Sequence, residues 1–330
     1  MKTILVTGGY GFIGSCFVLQ ELAAGNKVIN LDKLTYAADK NNLNEVEKNK
    51  NYKFYKGDIC NKKLVRKILN KEQPDWVVNF AAESHVDNSI EKPAEFIQTN
   101  ILGVYNLLQN SLEYWKGLSE NKKRSFRFLQ ISTDEVFGSL GETGKFTEET
   151  KYDPSSPYSS SKAGADHLAL AWNKTFGLPV ILTNCSNNFG PRQHREKLIP
   201  KIISNCINEK PIPIYGDGKN VRDWIFVEDH CEGIKLALTK GKAGESYCFG
   251  GNCEKNNNEI VNNICEKMDS IKTRKAGSYK QLITYVTDRL GHDKRYAIDD
   301  SKAKNELGYK QSKSFDERIL EIINFYMGNK

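Results

Sequence analysis

Six apolar runs, each the length of one strand, recur over the first 184 residues: 3–7, 27–31, 52–56, 75–80, 126–131 and 179–184. The stretches 12–24, 61–70, 94–116 and 157–176 between them carry apolar residues at steps of three and four, the helical period. Strands that alternate with helices predict a parallel sheet, because parallel neighbours need a long crossover and its helix must cover a sheet face. The fold class is therefore α/β, a doubly wound parallel sheet. After about residue 185 the rhythm stops. Pro191, Pro200, Pro211 and Pro213 cluster there, and Gly216-Asp217-Gly218 marks a turn. A smaller α+β lobe is expected: residues 1–184 with about 217–240 form the sheet domain, and 185–216 with 241–330 form a substrate-binding lobe. The stretch 39–53, rich in Lys and Asn, reads as solvated helix and loop.

The first strand runs into Gly8-Gly9-Tyr10-Gly11-Phe12-Ile13-Gly14 and then into a helical pattern. Glycines at 8, 11 and 14 permit a tight turn, close approach of backbone to a pyrophosphate, and a helix N-terminus aimed at it. This is the Rossmann arrangement. Asp32 closes the second strand, 18 residues past Gly14. A carboxylate there accepts hydrogen bonds from the adenosine ribose and repels a 2′-phosphate, so NAD is favoured over NADP. Lys33 beside it is the residue that would reverse that preference. Asp58, after the third strand, caps a helix or meets the adenine amine.

Two clusters suggest chemistry. Tyr158 and Lys162 follow Pro157, a helix-starting residue, and lie four apart, hence on one helix face. An ammonium beside a phenol lowers the phenol's pKa, which would make Tyr158 a base for a hydroxyl proton while hydride leaves the same carbon. Asp134 and Glu135 stand at the end of the fifth strand, where open α/β sheets place their ligand crevice. Adjacent carboxylates raise one another's pKa, so one stays protonated as an acid while the other acts as a base. Elimination of water needs that pair.

With 39% apolar residues in 330, the chain has ample core and is not disordered. No run approaches the length of a membrane span, and the first strand follows a single Lys without a signal-peptide layout. The net charge, 48 − 41 = +7, comes from Lys scattered among Glu and Asn. Lacking a basic stripe, it argues against nucleic acid and suits an anionic small substrate. The eight cysteines include no C-x-x-C pair and no metal-ligand spacing. Reduced thiols in a cytoplasmic setting are expected, with neither disulfide nor metal.

These features resemble the extended short-chain dehydrogenases/reductases nearly end to end. Within them, Thr133-Asp134-Glu135-Val136-Phe137-Gly138 resembles the signature of the nucleotide-sugar 4,6-dehydratases. The stretches 81–87, 185–191, 196–200, 213–216, 222–224 and 288–293 agree with it. The resemblance implies an NAD-dependent hydro-lyase acting on a thymidine-diphosphate glucose, with the uridine counterpart as the alternative and a C4-epimerase or decarboxylase as the remoter one. It implies Thr133, Asp134, Glu135, Tyr158 and Lys162 as the catalytic set. Tyr158 would deprotonate the 4-hydroxyl while NAD takes the C4 hydride; Glu135 would take the C5 proton; Asp134 would protonate the departing 6-hydroxyl; hydride would return to C6. The dinucleotide would be held by Gly8, Gly11, Phe12, Ile13, Gly14, Asp32, Lys33, Thr35, Asp58, Ile59, Ala81, Ala82, Thr99, Tyr158, Lys162 and Asn188. The nucleotide sugar would be held by Ser84, Thr133, Asn187, Lys197, Leu198, Pro213, Tyr215, Arg222, Asn257, Arg289 and His292. For Asn257 a helix-capping or loop role stands beside that reading. The resemblance also implies a homodimer through a four-helix bundle of 94–116 and 157–176, and a place in deoxysugar synthesis, of which rhamnose is the commonest end. The chain departs from the family pattern at Tyr10, Ala38, Asn88, Phe137 and Arg195.

Overall fold

The computed structural model describes residues 1–288 and 291–328. The strands run in chain order β1 (Thr3–Thr7), β2 (Lys27–Asp32), β3 (Tyr52–Lys56), β4 (Trp76–Asn79), β5 (Arg127–Thr133), β6 (Val180–Cys185), β7 (Asn187–Phe189), β8 (Ile212–Tyr215), β9 (Val221–Phe226), β10 (Ser246–Phe249), β11 (Glu254–Asn256) and β12 (Ile283–Val286). Among the described residues, seven of them form one sheet in the order β10-β6-β5-β4-β1-β2-β3, with every neighbouring pair parallel. The winding direction reverses at β1 and β4, which opens a crevice at their C-terminal ends.

Alternation along the strands sorts the two faces. Ile4 and Val6 of β1 pack with Phe17 and Val18 of the helix Phe12–Ala23 and with Ile234 and Leu238 of the helix Val227–Lys240. Leu5, between them, points the other way, to Val65 and Ile68 of the helix Lys62–Glu72, Leu107 of the helix Val104–Lys116 and Ala165 of the helix Pro157–Phe176. A second core lies in the smaller lobe. There Ile199 and Ile202, Ile260 and Ile264, and Ile319 and Ile322 come from three different helices. The three-stranded sheet β11-β9-β7 and the pair β12-β8 complete that lobe.

Four expectations change. β9, expected with 217–240 in the sheet domain, pairs with β7 and β11 outside the central sheet, and its Trp224 and Phe226 join the core of the smaller lobe. β10 pairs in parallel with β6, so 246–249, expected in the smaller lobe, is a strand of the central sheet; its Tyr247 and Phe249 join the main core. The expected helix 94–116 is a short helix Pro93–Phe96, a wider π-helical segment Ile97–Gly103 and the helix Val104–Lys116. Asn100 in the wide segment turns its amide to the Glu83 carbonyl (3.0 Å) and the Ser161 hydroxyl (2.8 Å), which ties this segment to the crevice. Within 39–53 a 3-10 helix, Lys40–Val46, buries Leu43 in the main core, so that stretch is only partly solvated.

Candidate active site

A cavity of about 310 Å³ opens at the C-terminal ends of the central strands. Every residue expected to hold the dinucleotide lines it, from Gly8 on β1's turn to Asn188, together with Thr133, Asp134 and Glu135. At one end the turn 8–14 is fastened from beneath. Gly8 N donates to Leu31 O (3.0 Å), Gly9 N to Asn30 Oδ1 (3.1 Å) and Tyr10 N to Asp32 Oδ2 (2.9 Å). Gly8 has φ +70°, and a Cβ there would lie 2.8 Å from Ala81 N. The first helical bond runs from Ser15 N to Gly11 O, so the amides of the first turn face the cavity without helical partners, as a pyrophosphate requires. Tyr10 buries its ring edge-on against Phe54 (5.0 Å) and so anchors the turn to β3.

The adenosine end suits NAD. Burial pushes the Asp32 carboxyl up, while backbone bonds from Leu34 and Tyr10 hold it down. A carboxylate so placed is ready for ribose hydroxyls. Lys33, the residue that could have favoured a 2′-phosphate, is engaged by Asp58 at 2.8 Å. Asp58 also accepts from Cys60 N (2.8 Å), a local turn; the cap of the next helix is Asn61, whose Oδ1 accepts from Leu64 N (3.1 Å), so the expected capping role falls to Asn61.

At the other end stand the acid pair and the Tyr–Lys pair. β5 delivers Thr133, whose hydroxyl accepts from Glu135 N (3.3 Å) and donates to Asp134 Oδ1 (3.2 Å). Asp134 is 2% exposed, and its Oδ2 has no partner among the described residues. Burial first, and the neighbouring Glu135 second, push its carboxyl well above the ordinary range. The direction is the one expected from the sequence for the acid member of an adjacent carboxyl pair. The helix carrying Tyr158 and Lys162 begins at a capping box: Ser156 Oγ accepts from Ser159 N (3.1 Å) while Ser156 N donates to Ser159 Oγ (3.0 Å). One expectation fails here. Burial pushes the Tyr158 phenol up, Glu135 adds to this, and the group that holds it down is the Thr133 hydroxyl rather than Lys162. Lys162 Nζ instead donates to Ile131 O at 2.6 Å.

Of the residues expected to hold the sugar nucleotide, Ser84, Asn187 and Lys197 line this cavity, and Asn187 Oδ1 is buried there without a partner among the described residues. Leu198, Pro213, Tyr215, Arg222, Asn257 and His292 do not line it; they belong to the smaller lobe. Pro213 and Tyr215 lie on β8, paired with β12. Arg222 lies over the Tyr296 ring (4.3 Å), and its fork is taken by the carbonyls of Val221 (2.8 Å) and Asp293 (2.9 Å). His292 Nδ1 meets Asp288 Oδ1 at 2.6 Å. Leu198 opens one helix, and Asn257 is the first residue of another whose cap is Asn256. Arg289 lies outside the described residues. Sequence reasoning missed Cys185, Ser186, Gln193, His194 and Glu196 as lining residues, although they interleave with the stretches it singled out. It also missed His230. Burial pushes that imidazole down to about 3, and the neutral ring meets Asn188 Oδ1 at 2.9 Å from behind. No local pattern marks it.

Comparison with known proteins agrees with this geometry. The family described as GDP-mannose 4,6 dehydratase matches residues 5–322. A curated dTDP-glucose 4,6-dehydratase of Xanthomonas campestris pv. campestris (strain B100) is 53% identical over 331 residues, covering 100% of this chain and 94% of the relative. The chain belongs to the dTDP-glucose 4,6-dehydratase family. A solved member of that family, from Bacillus anthracis str. Ames in complex with NAD, superposes with a TM-score of 0.89 at 46% identity, covering 100% of this chain and 97% of the other. The UDP-glucose 4-epimerase of Thermotoga maritima shares the fold (TM-score 0.87; 99% of each chain) at 27% identity. Among the described residues, no helix is long and apolar enough to cross a membrane.

Proposed function

We propose that this chain converts dTDP-glucose to dTDP-4-keto-6-deoxyglucose and water, holding NAD throughout turnover. The observation that carries the reading is the meeting, in one cavity, of Asp134 and Glu135 with Tyr158 and Lys162. An epimerase needs only the second pair. NAD is supported by the glycine turn, Asp32 and the Lys33–Asp58 pair, and by the NAD named with the Bacillus anthracis relative. The chemistry that bound NAD supplies is hydride transfer, out from C4 and back at C6.

The chain's own residues manage the protons. The Thr133 and Tyr158 hydroxyls hold the 4-oxygen, and Tyr158 takes its proton. Burial disfavours the phenolate and the Thr133 hydroxyl opposes it, while Lys162 is the cation that holds the nicotinamide ribose. A ketone at C4 acidifies C5, whose proton Glu135 removes, and C5 takes a proton back from Glu135, after exchange with solvent, as hydride adds at C6. Asp134, held neutral by burial, gives its proton to the 6-oxygen as water leaves. Lys197 and Asn187 serve the diphosphate and sugar. The sheet domain holds the dinucleotide, and the smaller lobe, through Leu198, Pro213, Tyr215, Arg222, Asn257 and His292, holds the nucleoside diphosphate; Arg222 would exchange a carbonyl for a phosphate oxygen. A homodimer is supported by Leu102, Tyr105 and Phe176, all large and exposed, on the two segments assigned to the bundle, with Trp172 between the rings of Tyr105 and Phe176. The setting is cytoplasmic deoxysugar synthesis, rhamnose being the commonest end.

The test is mass spectrometry of purified protein incubated with dTDP-glucose and UDP-glucose in parallel, without added NAD. Loss of one water, faster with the thymidine substrate, is expected. Interconversion of glucose and galactose nucleotides without loss of water would overturn the reading.

A further inference from the structure

Asp166 is a buried carboxyl that the proton steps above leave unused. It stands one helical turn beyond Lys162, as Lys162 stands one turn beyond Tyr158, so the three share one face. Its exposure is 0%. Oδ2 accepts from the Ser132 hydroxyl (2.5 Å) and the Tyr152 hydroxyl (3.2 Å), while Oδ1 has no partner among the described residues. Ser132 immediately precedes Thr133, Asp134 and Glu135. The structure thus ties the helix that bears the Tyr–Lys pair to the strand end that bears the acid pair, through one carboxylate.

We propose that Asp166 is a positioning residue: its buried charge keeps Lys162 cationic, and its bond to Ser132 fixes the strand end that carries the acid pair. The proposal rests on the dehydratase reading above. Lys162 itself is 5% exposed and gives Nζ to a neutral carbonyl, Ile131 O, so its charge needs a counter-charge nearby. The ionisable groups around it come from several elements. Tyr158 and Asp166 lie on its own helix, Asp134 and Glu135 beyond β5, and Cys185 on β6; Tyr152, with His167 against its ring and Cys248 of β10 nearby, backs Asp166. Burial lowers the proton affinity of Lys162, and Asp166 is the leading group that opposes it, ahead of Cys185. The benefit is mutual. Burial pushes the Asp166 carboxyl up to about 7, against the pull of Lys162, Ser132 and Tyr152. Among the described residues, Asp166 is the carboxylate that opposes burial at Lys162; neither Asp134 nor Glu135 does.

The test compares pH profiles of kcat for dTDP-glucose in wild-type protein, Asp166→Asn, Asp166→Glu and Ser132→Ala. Loss of the Lys162 proton sets the alkaline limb. Asp166→Asn keeps the shape but not the charge, and its alkaline limb is expected about one unit lower, hence about tenfold less activity above that limb. Asp166→Glu restores the limb. Ser132→Ala removes a hydrogen bond that favours the Asp166 charge, and its limb is expected to fall between those of wild type and Asp166→Asn. An Asp166→Asn limb that coincides with wild type overturns the proposal. So does a Ser132→Ala limb that coincides with wild type, whether or not Asp166→Asn folds. A wild-type protein that does not dehydrate dTDP-glucose instead overturns the dehydratase reading itself.

Discussion

Gly14→Ala sets two effects of opposite sign against each other. Gly14 stands in the first turn of the helix Phe12–Ala23, where alanine ordinarily favours a helix over glycine by about 1 kcal/mol. Here a Cβ would lie 2.3 Å from Gly8 O and 3.0 Å from both Gly8 C and Gly9 Cα. These are backbone atoms of a turn fastened to β2 at Gly8, Gly9 and Tyr10, so they cannot step aside as a side-chain tip would. Overpacking of this kind costs about 1–3 kcal/mol and outweighs the propensity gain. A net loss of up to about 2 kcal/mol follows, a few degrees in Tm for a chain of this size. The larger effect is on the cofactor, because the turn that moves is the one that meets the pyrophosphate. The assay is thermal melting with and without NAD, together with the dinucleotide content of protein after gel filtration. Gly141→Ala is the control, since a Cβ there meets nothing within 4 Å. Gly14→Ala should melt lower and emerge depleted of NAD while Gly141→Ala matches wild type. A Gly14→Ala protein that keeps its NAD and melts at or above wild type would refute the steric argument.

Three further outcomes are expected. Asp134→Asn should stop elimination after C4 oxidation, so reduced nicotinamide accumulates in the near-ultraviolet while dehydration falls about 10²–10⁴-fold. The same variant should show a pH signature in stability. The folded state binds the Asp134 proton more tightly than the unfolded chain, so wild type loses stability as pH rises above the ordinary carboxyl range of 3.8. In urea melts Asp134→Asn should match wild type at low pH and exceed it near neutrality; the reverse order would contradict a neutral Asp134. Asp32→Ala should weaken NAD binding and narrow the preference for NAD over NADP in titration calorimetry, whereas an unchanged preference would remove Asp32 from ribose recognition. Ser156→Ala breaks the capping box ahead of Tyr158 and should cost about 1 kcal/mol in urea, with kcat falling by more than the lost folded fraction explains.

The sheet was legible because its inner strands are buried on both faces and read as continuous apolar runs, while the half-buried edge strand β3 carries aromatic residues between its lysines; β1, β2 and β3 lie within a residue of the expected limits. The cofactor end was equally legible, since a glycine turn and an acid at the next strand end are local patterns. What was not legible depends on distant contacts. β10 is four residues long and reads as part of the smaller lobe until its pairing with β6 is seen. The break at Ile97–Gly103 follows from Asn100 reaching the Glu83 backbone and Ser161, which no helical period reveals. The expected lowering of the Tyr158 phenol failed for a related reason. Helical spacing put Lys162 on the right face, but burial depth and the Ile131 carbonyl decide where its charge acts. His230 likewise matters only through Asn188, far away in the chain, and the bond from Ser132 to Asp166 spans 34 residues.

The central claim is that one cavity carries the C4 hydride across to C6 while Asp134 and Glu135 expel water between the two transfers. It is tested most directly with dTDP-glucose carrying deuterium at C4, turned over without added NAD and analysed by mass spectrometry and NMR. The account predicts a product lighter by one water, with the C4 deuterium retained at C6. Turned over in heavy water, unlabelled substrate should gain one solvent deuteron at C5. Loss of the label to solvent, or an isomer that keeps its 6-hydroxyl, would contradict it.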